Sequence, residues 1–369
     1  PSRLRCEYRI EPMGVDDLTP RLEWTSAAEP GERGQRQTAW QVQVAATAEA
    51  LGTSEGAWDS GKVVSPESTQ IAYAGQPLRA RQRYVWRVRV WDRDGRASAW
   101  SVATFFETGL LGQPWQAKWI GAPWQREDGR EDADCAPLVR TGFDLPAGVV
   151  KARAYVTGLG YFELYVNGKR VGDDVLTPAQ TDYGPRESIK VGHPVDPVFS
   201  GHRVLYLTYD VTPMLKPGAN AVGAMLGNGW YNRNDGREGE LGYGAPRFLL
   251  RLQVWFADGT ERVIVSDESW KAAKGPIVFN RIYQGEHYDA RLEQPGWCAA
   301  GFDDRAWQPV ALRREPGGEL QAQPSPTDRV MEVSKPLSIT RLGEGHYKLS
   351  FKEEIAGWLR FRVKGPAGQ

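Results

Sequence analysis

Residues 161–171 constrain the fold most. Phe162, Leu164 and Val166 alternate with Tyr161, Glu163 and Tyr165, which gives a segment with two unlike faces. Asn167-Gly168 follows, the dipeptide that best tolerates positive φ at both centres of a type I′ turn. A short return strand is expected at 170–171, then a polar loop ending in Thr181-Asp182-Tyr183. The same punctuation recurs along the chain. Its 41 Gly and 25 Pro separate short aromatic and β-branched runs at intervals of about 8–12 residues, the pattern of an all-β protein. No amphipathic stretch longer than about two turns fits the 3.6-residue template.

Composition removes several function classes. Lys+Arg and Asp+Glu are both 46, so no charge excess points to nucleic acid or an anionic membrane. No apolar run approaches the roughly 20 residues of a membrane helix. Cys6, Cys135 and Cys298 are odd in number and far apart, which is neither a disulfide framework nor a zinc pattern. They read as free structural thiols. The four histidines, at 193, 202, 287 and 346, form no HExxH. Free cysteines and the lack of N-x-[ST] sequons favour a cytoplasmic over a secreted compartment.

Taken in order, residues 1–109 read as a small sandwich. Its first strand is expected at 20–24, a second at 37–46 and a turn at Trp58-Asp59-Ser60-Gly61. The strongest strand is 84–91, with Tyr84, Trp86, Val88 and Val90 on one face and Arg87 and Arg89 on the other. About seven short strands without the Cys…Trp…Cys spacing suggest a fibronectin-III-like unit. A linker at 110–114 leads to a larger jelly-roll-like sandwich over 115–315, with a polar surface loop at 125–135. Strands are expected at 204–210, 219–226, 248–256 and 261–265, the last two joined by Asp258-Gly259. Residues 325–369 begin a third β unit, with a strand and turn at 361–365. Forty-odd residues bury too little surface to stand alone, so the chain is expected to stop inside that domain.

These segments resemble, in order, the N-terminal portion of bacterial α-L-rhamnosidases, glycoside hydrolase family 78. The first unit carries LRCEYRIEP, PRLEW, QTAWQVQVA, WDSGKV, YVWRVRVWD and FETGLL. The second carries WIGAP, GYFELYVNGKRVGDDVLTPAQTDY, YDVT, GNGWY, DESWK, GEHYDAR and FDDRAW. The tail FKEEIAGWLRFRVKGPAGQ is similar to the opening of the next β domain, although 351–355 reads FKEEI where the family has a DFGQN-like run. The resemblance implies hydrolysis of terminal α-L-rhamnosyl residues, with inversion, by two carboxylates. Inverting pairs stand roughly 6.5–9.5 Å apart to admit water. In the family those acids lie on an (α/α)₆ barrel, which is not readable here, so no residue of this chain is expected to be catalytic. The partners implied are a rhamnose-containing glycoside or polysaccharide and that barrel.

Two loops are the candidate sites. In Gly227–Tyr231, Trp230 or Tyr231 could stack on a sugar face while Asn228 bonds its hydroxyls. Asp182 and Tyr183, after the opening hairpin, join them as substrate-binding candidates. Some family members carry a calcium-dependent rhamnose-binding module. Asp173, Asp174 and Asp235, with Asp182 and Asn228, are the oxygens Ca²⁺ would take here, although no compact D-x-D-x-D loop is present. In GEHYDAR, strand alternation points Glu286 and Asp289 to opposite faces, which disfavours a catalytic dyad and leaves Asp289 to pair with Arg291. His287, with no second His nearby in sequence, reads as a surface residue. Two rival readings are a stand-alone carbohydrate-binding module and a fibronectin-like structural scaffold.

Overall fold

The computed structural model describes residues 1–27, 31, 33–129, 134–184, 201–232, 242–362 and 364–365. It is nearly all β. The helical turns among the described residues are two 3₁₀ turns, Thr212–Met214 and Ala290–Leu292. The chain forms two compact units, Pro1–Asp328 and Arg329–Gln369.

Among the described residues the first sandwich holds eight strands: β1 (Ser2–Cys6), β2 (Met13–Val15), β3 (Arg21–Thr25), β4 (Ala39–Ala45), β5 (Trp58–Asp59), β6 (Ile71–Ala72), β7 (Arg83–Trp91) and β8 (Thr104–Thr108). One sheet runs β1-β3-β6 and the other β2-β8-β7-β4-β5. Two sequence expectations change. The strand expected first is the third, because polar Ser2–Cys6 pairs with it. Trp58-Asp59 is a strand paired with Gln43 and Val44, and the turn begins only where Asp59 Oδ1 accepts the Gly61 N–H at 2.9 Å. The core face of β7 is as expected for Tyr84, Trp86 and Val88, all buried. The far face of β4 is covered too. Gln41 and Gln43 are buried there, accept from Arg89 and Arg87, and donate to Asp59. Both guanidiniums also lie over the Trp100 ring, at 4.6 and 4.7 Å, so the arginines are sandwiched and their charges satisfied.

The second sandwich comprises β9 (Ile120–Gly121), β10 (Pro137–Leu145), β11 (Val149–Leu159), β12 (Tyr161–Val166), β13 (Lys169–Arg170), β14 (Asp174–Val175), β15 (Arg203–Asp210), β16 (Gly218–Gly227), β17 (Arg247–Phe256), β18 (Glu261–Val265), β19 (Lys271–Lys274), β20 (Ile277–Arg281), β21 (Gly285–Tyr288), β22 (Gln308–Pro309), β23 (Ala311–Leu312) and β24 (Glu319–Ala322). A six-stranded sheet runs β13-β12-β16-β10-β19-β22. A seven-stranded sheet runs β23-β9-β17-β11-β15-β24, with β18 also on β17. The opening hairpin is β12–β13, and both turn residues sit at positive φ, 50° for Asn167 and 78° for Gly168. Phe162, Leu164 and Val166 face the core with Ala152, Ala154, Val156, Leu250, Leu252 and Val254 from the other sheet. The sandwich continues past residue 315, because β24 adds in parallel to β15. The polar loop expected at 125–135 is only partly surface. Gln125 is buried and donates to the Cys135 carbonyl, while 130–133 lie outside the described residues.

The outer face of the seven-stranded sheet is buried as well, against the first sandwich. Glu107 of β8 has no exposed surface and receives both Nε and Nη2 of Arg153, at 2.8 and 3.0 Å. Lys151 Nζ lies 3.1 Å from the same carboxylate. Asp16 accepts from the Tyr206 hydroxyl (2.8 Å), Leu111 N (2.9 Å) and Ala322 N (2.9 Å). The Tyr206 oxygen in turn accepts from Leu110 N at 3.0 Å. The expected linker at 110–114 therefore starts with a buried, hydrogen-bonded residue, and the two sandwiches share one compact unit. A buried ion pair left with one partner is expensive, which ties the sandwiches in one register.

β25 (Asp328–Arg329) lies where the two units divide. The C-terminal unit holds a hairpin, β26 (Ser338–Gly343) and β27 (His346–Ser350). The strand expected at 361–365 is absent at 361–362 and 364–365, and Val363 lies outside the described residues. Trp358 and Phe361 are 62% and 61% exposed. Without a second layer over such side chains, a strand gains too little burial to form.

Candidate functional site

The candidate residues cluster at the end of the second sandwich where β12 begins and β16 finishes. Gly160 has φ 98°, and a Cβ there would meet the Gly227 carbonyl at 2.1 Å. Only glycine lets the two turns approach so closely, and this fixes Asn228 and Trp230 beside Tyr161.

Asn228 is 1% exposed. Its backbone N–H donates to Asn280 Oδ1 (2.7 Å), its Nδ2 donates to the Asn280 carbonyl (2.9 Å), and its Oδ1 accepts from Asn232 Nδ2 (3.0 Å). These bonds join the end of β16 to β20, so the amide is a joint of the fold.

Tyr183 and Tyr231 are each 2% exposed. Tyr231 stacks on Tyr243 at 5.4 Å and 12°, and Tyr183 stands edge-on to both at 5.2 Å. Burial holds the Tyr183 phenol well above its ordinary value and pushes Tyr231 up to about 12, so both stay protonated. Arg247 Cζ lies 5.4 Å from the Tyr231 ring centroid. Arg247 and Arg313 grip opposite oxygens of Glu127 at 3.1 and 3.0 Å. Asp182 sits at the border of this cluster. It accepts from the Tyr243 hydroxyl and stands 3.5 Å from His202 Nδ1.

Trp230 is the aromatic candidate that keeps accessible surface, and Asp182 also stays partly exposed. Trp230 is half-buried and edge-on to Tyr283 at 5.7 Å and 88°, and Tyr283 is 64% exposed. A hydrogen bond from Trp230 reaches the Tyr161 hydroxyl, whose pKa is raised by burial and by Asp328. Trp230, Tyr161 and Tyr283 thus form a small aromatic surface, while the partly exposed Asp182 borders the neighbouring tyrosine cluster. Tyr161, Tyr243, Tyr283 and His202 were not among the sequence candidates. His202 and Tyr243 stand far from Asp182 in the chain, and no short motif signals their approach.

Of the carboxylates proposed for calcium, Asp173, Asp174 and Asp182 are among the described residues. Asp173 is exposed. Asp174 is buried and takes hydrogen bonds from Thr327 and Tyr209. Asp235 lies outside the described residues. Calcium needs six to eight oxygens, and among the described residues no group of three acidic, His or Cys side chains could hold a metal. The described residues therefore do not fit the ion. In GEHYDAR, Asp289 and Arg291 pair as expected, at 2.6 Å, but Asp289 caps the 3₁₀ turn instead of continuing the strand. Its hydrogen bonds with Arg291 pull its carboxyl down to about 2. Glu286 moves the other way, raised by burial and by the charge of Glu163. His287 is exposed and lies against the Phe279 ring at 4.9 Å.

Comparison with known proteins matches both sandwiches. The model of a Rha78A-like N-terminal immunoglobulin domain matches residues 1–112. The model of the alpha-L-rhamnosidase N-terminal domain matches residues 147–332. An alpha-L-rhamnosidase of Formosa agariphila is 33% identical over all of this chain and 39% of its own length. The structure of alpha-L-rhamnosidase from Dictyoglumus thermophilum superposes with TM-score 0.81 at 37% identity, over 95% of this chain and 38% of that one. The structure of Streptomyces avermitilis alpha-L-rhamnosidase complexed with L-rhamnose superposes with TM-score 0.83 at 29% identity, over 94% of this chain and 48% of that one. The chain thus spans between about two fifths and one half of these relatives. The second domain model covers half of its residues, and the chain belongs to the bacterial α-L-rhamnosidases of glycoside hydrolase family 78, as their N-terminal β-domain portion.

Proposed function

We propose that this chain is the accessory portion of an inverting α-L-rhamnosidase acting on terminal α-L-rhamnosyl residues. Its two carboxylates belong to a catalytic barrel that this chain does not carry. The ordered match of both sandwiches to the N-terminal domains of that family carries the reading. Glu286 and Asp289, the carboxylate pair of GEHYDAR, support no dyad: Asp289 is committed to Arg291 and to capping a turn. The chain's own work is to brace the barrel and to offer sugar contacts at Trp230, Tyr161 and Tyr283. Stacking a pyranose on an aromatic face while rim hydroxyls bond its oxygens is the usual economy of such a surface.

The test is turnover of an aryl α-L-rhamnoside, measured on this chain and on the enzyme that carries it with its barrel. Turnover by the longer enzyme with inversion at the anomeric carbon, and none by this chain, is expected. Hydrolysis by this chain alone overturns the assignment of the catalytic acids. Failure of the longer enzyme overturns the substrate.

A further inference from the structure

The outer face of the six-stranded sheet carries a covered cavity away from the Trp230 surface. That face carries Tyr165 on β12, Met225 on β16 and Leu138 on β10, with Leu138 directly opposite Met225 in register. The segment 290–307 crosses it as a strap. The Trp297 ring packs close against the sheet because position 223 is glycine, where a Cβ would meet Trp297 Cζ3 at 2.6 Å. The strap is firmly held. Gly168 N donates to the Cys298 carbonyl (2.9 Å), Asp304 binds both Arg140 and Lys271, and Arg140 lies over the Phe302 ring.

Between the strap, the sheet and the end of β21 is a cavity of about 240 Å³, lined by Leu138, Tyr165, Met225, Tyr288, Glu293 and Trp297 among others. Sites for drug-sized ligands span roughly 300–1,000 Å³, so this one suits a single ring. Trp297 and Tyr165 meet edge-on at 5.2 Å and 64°, so two steeply inclined aromatic rings border the cavity. Leu138 and Met225 make an apolar floor. At the rim, Glu293 Oε1 accepts the Tyr288 hydroxyl at 2.6 Å, and its other oxygen has no partner among the described residues.

We propose that this cavity is a subsite for one 6-deoxyhexopyranosyl unit. Trp297 and Tyr165 take the C–H face of the ring, Leu138 and Met225 take the 6-methyl group, and Glu293 with Tyr288 takes hydroxyls at the rim. The choice of a 6-deoxy sugar rests on the rhamnosidase reading; the cavity itself does not. A 6-hydroxyl pressed on Leu138 and Met225 would lose its hydrogen bonds without replacement, which is how an apolar floor discriminates.

Methionine-methyl NMR on the 369-residue chain tests this, since of Met13, Met214, Met225 and Met331 only Met225 lines the cavity. Methyl α-L-rhamnopyranoside is expected to shift the Met225 methyl saturably and leave the other three in place. Glu293→Gln should weaken that response about tenfold, the worth of one hydrogen bond to a charged group. Glu293 is exposed, so the variant keeps its fold. Methyl α-L-mannopyranoside, with its hydroxyl at C6, should bind more weakly. A silent Met225, or equal responses to the two glycosides, overturns the subsite. Turnover by the longer enzyme beside a silent Met225 leaves the family activity standing, so the two failures are distinguishable.

Discussion

The two faces of the seven-stranded sheet are both buried, yet they are made of opposite chemistry. On β11 and β17 the inner face is Ala152, Ala154, Val156, Leu250, Leu252 and Val254. The outer face of the same strands is Arg153, Tyr155, Thr157, Arg251 and Gln253, again almost wholly shielded from water. The inner face gains from area removed from water and tolerates approximate shapes. The outer face gains only where each donor and charge meets its partner, as Arg153 does with Glu107 and Tyr206 with Asp16. Alternation along a strand therefore reports two unlike faces. It does not report that the polar one is wet.

The largest effect should come from the inner face. Phe248→Ala is expected to cost about 3–5 kcal/mol in urea unfolding, since Phe248 is fully buried against Phe162 and Trp270. On the outer face, Glu107→Gln should cost about 3 kcal/mol by removing the buried carboxylate between Arg153 and Lys151, although Arg153 keeps Asp210 at 2.8 Å. Replacing Glu107 and Arg153 together by Met should return most of that loss. A double variant as unstable as the single one would show that shape, not charge pairing, holds this face.

The same group sets a pH signature. Burial alone would raise the Glu107 carboxyl, but the hydrogen bonds and charge of Arg153 and the charge of Lys151 outweigh it and the pKa falls. A carboxylate depressed in the folded state lends stability above its unfolded value. That stability goes as pH falls through the folded value. Thermal stability should thus drop below about pH 4.5, near the unfolded carboxyl value, and Glu107→Gln should flatten that drop. Tyr206→Phe removes the donor to Asp16 and the acceptor of the Leu110 N–H and should cost about 2 kcal/mol. The smallest effect belongs to the accessible aromatic surface. Trp230→Ala should move stability by no more than about 0.5 kcal/mol while weakening rhamnoside binding, read by calorimetry. A large stability loss there would place Trp230 in the core and remove it from any sugar contact.

At the candidate site, legibility divides by the distance over which information travels. Asn228 and Trp230 stand out in a five-residue run, and their turn chemistry is local. That Tyr183 and Tyr231 would be sealed by Tyr243 and Arg247, leaving Trp230 with Tyr161 and Tyr283 as the surface, depends on loops far apart in the chain. The calcium reading shows the same limit: Asp173 and Asp174 are adjacent in sequence, yet Thr327 and Tyr209 claim Asp174.

By itself the sequence determined the β class, the hairpin at Asn167-Gly168, the core face of β7 and the family. Period-two alternation, turn dihedrals and ordered motifs are properties of neighbouring residues, written directly in the chain. Only the tertiary structure decided that Ser2–Cys6 would be a strand and that the 110–114 connection would be clamped. It also decided that the charged face of β11 would be dry and that a strap would close a cavity over Met225. Each of those outcomes needs a partner supplied from a distant part of the chain, and a polar residue carries no mark of whether water or another side chain will satisfy it.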